Sequence, residues 1–161
     1  MQIEMTIKGL IVDPITNMPI VVLHDEEGQC TLPIWVGIFE ANAIALQIEN
    51  VSASRPMTHD LLRNIIRDLK GSVEKIVISD VEDKTFYALI QLRVKGELVA
   101  VDARPSDAIA LALRVRAPIF VEEKVIESSK AIDFSPDKED SERLASWLKS
   151  LDAEDLGKYK M

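Results

Sequence analysis

Twice in this chain an arginine and a proline lead through a short polar run to an aspartate, and an apolar, helix-periodic stretch follows at once. The two phrases are Arg55-Pro56-Met57-Thr58-His59-Asp60 and Asp102-Ala103-Arg104-Pro105-Ser106-Asp107. Proline fixes its own φ, gives no N–H, and biases the preceding residue towards extended backbone. Each phrase therefore turns the chain from extended structure into a helix at a defined point and delivers polar groups to the helix start. Any fold of this sequence has to accommodate two such elbows. They differ in spacing, with Asp60 four positions after Pro56 and Asp107 two after Pro105, so they are not read as a duplication.

Around the elbows the periodicity switches between two and 3.6. Ile3, Met5 and Ile7 alternate with Glu4, Thr6 and Lys8, which predicts a half-buried strand over 2–12. Turn signals at Asp13-Pro14 and Asn17-Met18-Pro19 separate it from a β-branched run at Ile20 to Leu23. A third strand is expected within 29–36, at an edge or starting after Pro33. This first third reads as an antiparallel meander. A helix follows at about 38–49, with a small-residue seam along Ile38, Ala41, Ala45 and Ile48 that lets another element approach closely. After the first elbow, Thr58 is the expected N-cap, Leu61, Leu62, Ile65, Ile66 and Leu69 the apolar stripe, and Gly71 the C′ residue. Strands are expected at 73–81, 85–94 and 97–102, the last two joined by a tight Lys95-Gly96 turn. Ser106 is the expected cap of a helix at about 107–116 that is apolar nearly all round and so buried. A short strand at Ile119-Phe120-Val121 and a helical turn at 122–129 complete a domain over 1–130. Residues 131–161 read as an acidic hinge, a terminal amphipathic helix striped by Leu144, Trp147, Leu148 and Leu151, and a tail.

The 161 residues suffice for one domain with a core of its own. A single cysteine, Cys30, excludes a disulfide within the chain and suits a reducing, cytoplasmic compartment. The N-terminus has neither the basic nor the apolar region of a signal peptide, and no apolar run approaches the roughly 20 residues that cross a bilayer. The net charge is −8, of which −3 falls on residues 131–161 and −5 on the remainder. That balance disfavours non-specific binding to nucleic acid, which rests on neutralising phosphate with Lys and Arg. A role on nucleic acid then needs a local basic face or a bound cation.

The candidate chemistry sits on the elbows. Asp60 and Asp107 lie in first turns of expected helices, Asp102 ends a strand just before one, and Glu40 opens the helix after Trp35-Val36-Gly37. Converging, these acids would be hard oxygen ligands for Mg²⁺ or Mn²⁺. Singly, each is what the helix dipole favours at a helix start. The imidazole of His59 suits a general base or a phosphate donor, or is an ordinary polar residue of a first turn. His24 reads as structural or surface. Arg55 and Arg104, extended before proline, suit phosphate recognition, or bridge to a nearby acid such as Asp102 or Asp107. His59, Arg63 and Arg67 recur every fourth residue, which is either a basic stripe for a nucleic-acid backbone or the solvated side of an amphipathic helix. No glycine-rich phosphate loop, CxxC, HExxH or GxSxG occurs.

LPIWVGIFEANAIAL (32–46), RPMTHDLL (55–62), TFYALIQL (85–92), VDARPSDAIALAL (101–113) and APIFV (117–121), in that order, resemble the bifunctional nuclease domain family. The resemblance covers roughly residues 1–130. It implies an α+β fold, here a mixed, largely antiparallel sheet with a few packed helices, and a homodimer. It implies hydrolysis of phosphodiester bonds in DNA, RNA or both, and it places Glu40, Arg55, His59, Asp60, Asp102, Arg104 and Asp107 in the family's signature phrases. The sharper expectation is a metal-assisted nuclease with catalytic His59, Asp60 and Asp107. Arg55, Arg104, Arg63 and Arg67 would bind substrate, and Asp60, Asp102, Asp107 and Glu40 would hold the cation. The other is a non-catalytic dimeric module that binds a protein or a small anion.

Overall fold

Seven strands form one sheet in the order β3-β2-β1-β7-β4-β5-β6. A computed structural model describes residues 1–131; the hinge and terminal helix expected beyond them lie outside the described residues. β1 (Gln2–Val12), β2 (Pro19–Asp25) and β3 (Thr31–Trp35) make the expected antiparallel meander. β4 (Gly71–Glu82), β5 (Thr85–Val94) and β6 (Glu97–Ala103) make a second one. The short β7 (Ile119–Glu122) joins them, antiparallel to β1 and parallel to β4. Only the β4–β7 pair is parallel, so the architecture is α+β with a mixed, largely antiparallel sheet. Lys95 and Gly96 both take positive φ, the conformation of a two-residue hairpin turn matched to strand twist.

Helices α1 (Ile38–Ile48), α2 (Thr58–Asp68) and α3 (Pro105–Val115) are followed after β7 by α4 (Glu123–Ala131). α3 is buried along almost its whole length, as its apolar circumference requires, and packs on β4 and β5. Ala41 and Ala45 of the small-residue seam are buried where α1 meets α3. One core cluster joins the inward residues of the sheet, among them Met5, Val21, Ile76, Ile90 and Val121, to α1, α3 and α4. Leu62 and Ile66 of α2 pack against its margin.

Local details depart from the sequence reading. α2 is capped at Met57 and α3 at Arg104, not at Thr58 and Ser106. Asp60 closes the turn of α2 by accepting the Met57 N–H at 3.0 Å, and Pro105, which needs no N–H partner, takes the first position of α3. The left-handed residue after α2 is Lys70 (φ 66°), not Gly71. Gly71 is instead the first residue of β4, where a Cβ would meet the Ile66 carbonyl oxygen at 3.3 Å. The apolar stripe of α2 divides, with Leu62 and Ile66 half-buried and Leu61, Ile65 and Leu69 exposed.

Candidate functional site

Three helix starts meet in one polar chain. Glu40 stands in the first turn of α1, His59 in that of α2, and Asp107 in that of α3, with Arg104 as the cap of α3. His59 Nε2 lies 2.9 Å from Asp107 Oδ1. Arg104 donates to the other oxygen, Asp107 Oδ2, from Nε at 2.9 Å and from Nη2 at 2.8 Å, and Nη2 also reaches Glu40 Oε1 at 2.8 Å. The sequence builds this locally. Pro105 holds Arg104 extended (ψ 143°), so its side chain leaves the helix start and reaches back over the first turn, where Asp107 sits. The Asp107 and Glu40 carboxylates beside it raise the Arg104 pKa above its ordinary value. His59 is largely buried between α2 and α3, whereas Arg104 is mostly exposed, so the chain runs from the packed interior to the surface.

A second cross-link lies beneath. The Arg114 side chain, 1 % exposed, donates through Nε to Asp60 Oδ1 at 2.7 Å, through Nη1 to the Ala110 carbonyl at 2.8 Å, and through Nη2 to the Ala43 carbonyl at 3.1 Å. One guanidinium thereby ties α3 to both α2 and α1. Burial alone would raise the Asp60 pKa. The Met57 N–H and the Arg114 guanidinium outweigh it, with help from Arg63, and hold the carboxyl below its ordinary value. Arg114 was not singled out from sequence, yet a signal existed: a cation inside a helix expected to be buried nearly all round requires an acid.

The remaining candidates stand elsewhere. Ala103 packs towards the core, so Asp102, its neighbour in β6, points to the opposite side of the sheet from the helices. Arg63 donates to Asn64 and the exposed Arg67 to Asp68, both pairs within α2. With His59 buried, the three do not present one basic stripe. Arg55 is exposed in the loop before α2. His24, in the meander, meets the Thr6 hydroxyl at 3.1 Å.

A divalent cation would have to compete for oxygens that already have partners. Both Asp107 oxygens are engaged by His59 and Arg104, both Asp60 oxygens by Arg114 and the Met57 N–H, and Glu40 Oε1 by Arg104. Asp102 is on the other side of the sheet. Among the described residues no group of three or more His, Cys, Asp or Glu is placed to hold a metal. As arranged, the acids fit guanidinium partners rather than a shared ion. What they do provide is an imidazole fixed by a carboxylate, beside an exposed guanidinium at converging helix N-termini.

Comparison with known proteins places the same segment. The family model described as the bifunctional nuclease domain matches residues 21–133, which include every residue of the cluster. An uncharacterized protein of Mycobacterium tuberculosis (strain ATCC 25618 / H37Rv) is 40 % identical over 139 residues, 86 % of this chain and 82 % of its own length. Bifunctional nuclease 2 of Oryza sativa subsp. japonica is 32 % identical over 107 residues, 64 % of this chain and 33 % of its own length. Bifunctional nuclease 1 of Arabidopsis thaliana is 29 % identical over 124 residues, 70 % of this chain and 38 % of its own length. The similarity therefore spans 33 % of one plant protein and 38 % of the other.

Proposed function

The chain belongs to the bifunctional nuclease domain family, and from that premise we propose that it hydrolyses phosphodiester bonds of DNA, RNA or both with low sequence specificity. The observation that carries this reading is the His59–Asp107 pair, 2.9 Å apart at the meeting of two helix starts and backed by Arg104. With His59 Nε2–H donated to Asp107, Nδ1 keeps its lone pair and takes a proton from the attacking water. Asp107 fixes the tautomer and stabilises the imidazolium that forms. The water oxygen bonds to phosphorus, the bond to the leaving sugar oxygen breaks, and the proton passes to that oxygen. Arg104, with Arg55 from the neighbouring loop, offers cationic N–H groups to the phosphate oxygens. Asp60 serves by holding α2 in place.

Divalent-cation assistance by Mg²⁺ or Mn²⁺ remains part of the proposal to be measured, and no step is assigned to it. A cytoplasmic location and a homodimer are proposed with it; among the described residues no helix is long and apolar enough to cross a membrane. One observation favours the second reading, a non-catalytic dimeric module for a protein or small anion: the cluster's acids are already paired with arginines, as a structural network would have them.

The deciding experiment is hydrolysis of single- and double-stranded DNA and of RNA by highly purified protein, with Mg²⁺, Mn²⁺ or a chelator. H59A and D107N are run beside wild type. Loss of general-base catalysis lowers the rate by about 100- to 10,000-fold. Variants as fast as wild type would remove the His59–Asp107 pair from the mechanism. A wild-type protein that cuts none of these substrates under any of the conditions overturns the nuclease reading in favour of the second.

A further inference from the structure

The polar cluster has an apolar rim. Ile38 and Phe39, the first two residues of α1, are 62 % and 86 % exposed, and Met57, the cap of α2, is 39 % exposed. Exposed apolar residues scattered over a surface need no reason. These three stand together at the two helix starts that flank the polar chain. Phe39 directly precedes Glu40, whose carboxylate accepts from Arg104 at 2.8 Å, and Met57 lies two residues before His59. Cα–Cβ bonds on a helix tilt towards its N-terminus, so Phe39 leans to the end of α1 at which the cluster opens.

Inside the rim one donor is unused. Arg104, with a side chain 65 % exposed, gives Nε and Nη2 to Asp107 and Glu40, and among the described residues nothing accepts from Nη1. A phosphate held at Nη1 sets the adjoining nucleotides at the rim. Charge gives such a strand little further hold, because the chain carries a net −8 and the acids of the cluster offset its arginine. An exposed aromatic ring supplies a hold of another kind. Unpaired bases stack on it irrespective of sequence, since every base has a π-face. A duplex keeps its bases stacked on one another and offers none to the ring.

We propose that Phe39 is a stacking platform for an unpaired nucleobase, with Ile38 and Met57 as its apolar surround, and that the strand this site takes is single-stranded nucleic acid. The ring holds a base while Arg104 meets a neighbouring phosphate. Stacking reads no sequence, which suits cleavage of low specificity. This use of the ring presupposes that the cluster takes phosphate, as proposed above. It requires no bond to be cut: a strand stacked on Phe39 is bound whether or not it is hydrolysed.

The test is fluorescence anisotropy of end-labelled oligothymidylate, oligouridylate and a DNA duplex titrated with the full chain, the strands being checked for integrity on gels afterwards. Wild type binds a single strand more tightly than the duplex. F39A and F39L weaken single-strand binding about five- to 150-fold, F39W retains it, and duplex binding is unchanged in all three. With Phe39 exposed, the variants keep the circular dichroism of wild type. A loss confined to oligothymidylate or to oligouridylate assigns the platform to DNA or to RNA. F39A or F39L binding single strands as wild type does overturns the proposal and leaves the His59–Asp107 mechanism standing. Strands held through Phe39 but never cut sink that mechanism and leave the platform standing. A wild type that binds no single strand overturns the platform. So does a dimer that F39A splits in sedimentation without weakening strand binding, which would assign the ring to a contact with a second copy.

Discussion

Arg114 is the residue on which the three helix starts most depend. Its guanidinium is enclosed and takes its partners from α1, α2 and its own helix. Removing it leaves the Asp60 carboxylate, 18 % exposed, without its cation. Truncating one member of such a pair costs about 3–5 kcal/mol, so R114A is expected to lose about that much in urea unfolding. It should also impair any activity of His59, because α2 loses its anchor. Gly37 supports a finer prediction. A Cβ there would collide with the Glu40 carboxylate, the movable end of a side chain, while the Gly37 backbone (φ −72°) accepts alanine without strain. G37A is expected to change stability by no more than about 0.5 kcal/mol yet to displace Glu40 from Arg104. Comparing kcat and KM of G37A with those of E40Q, on the substrate that wild type cleaves, checks whether the two variants act alike.

At the scale of elements, the end of α2 shows how a helix can be stopped by packing rather than by its signal residue. Gly71 looks like a C′ glycine, but the left-handed position belongs to Lys70, one residue earlier. The reason is steric: Gly71 lies under Ile66, where the chain has already entered β4. K70G should therefore stabilise the protein by up to about 1 kcal/mol, because a non-glycine residue in that region is strained. G71A should destabilise it by about 1 kcal/mol through overpacking. Thermal melts of the two variants should move in opposite directions. The elements themselves were legible because their periodicities are strong. The caps were not, since Thr58 and Ser106 are good cap residues that lost the position to prolines fixing the turn two residues earlier in one case and one in the other.

For the whole molecule, the acid limit of stability follows from buried carboxylates. Asp13 lies in the β1–β2 turn, 1 % exposed, and accepts bonds from the Thr16 hydroxyl, the Trp35 indole and the Ile15 N–H. Burial alone would raise its pKa, and these bonds together hold it below the ordinary 3.8. Asp60 is lowered as well. A depressed folded pKa contributes stability that is complete above the unfolded value and is lost as pH falls through the folded one. Unfolding free energy should thus be insensitive to these two groups near neutrality and fall below about pH 4, with D13N flattening that limb. Denaturant titrations between pH 2 and 7 measure it.

Much of the architecture is determined by sequence alone, because local physics suffices for it. Alternation defines the two meanders, an all-apolar circumference buries α3, and the Arg-Pro phrases fix where α2 and α3 begin. The choice of partners across elements belongs to the tertiary structure. Asp60 and Asp107 occupy equivalent first-turn positions, but one meets the enclosed Arg114 and the other His59 and Arg104. Asp102, only five residues before Asp107, faces the other side of the sheet. Those outcomes turn on strand parity and on how three helices are rotated against one another, which are long-range quantities that no window of sequence contains.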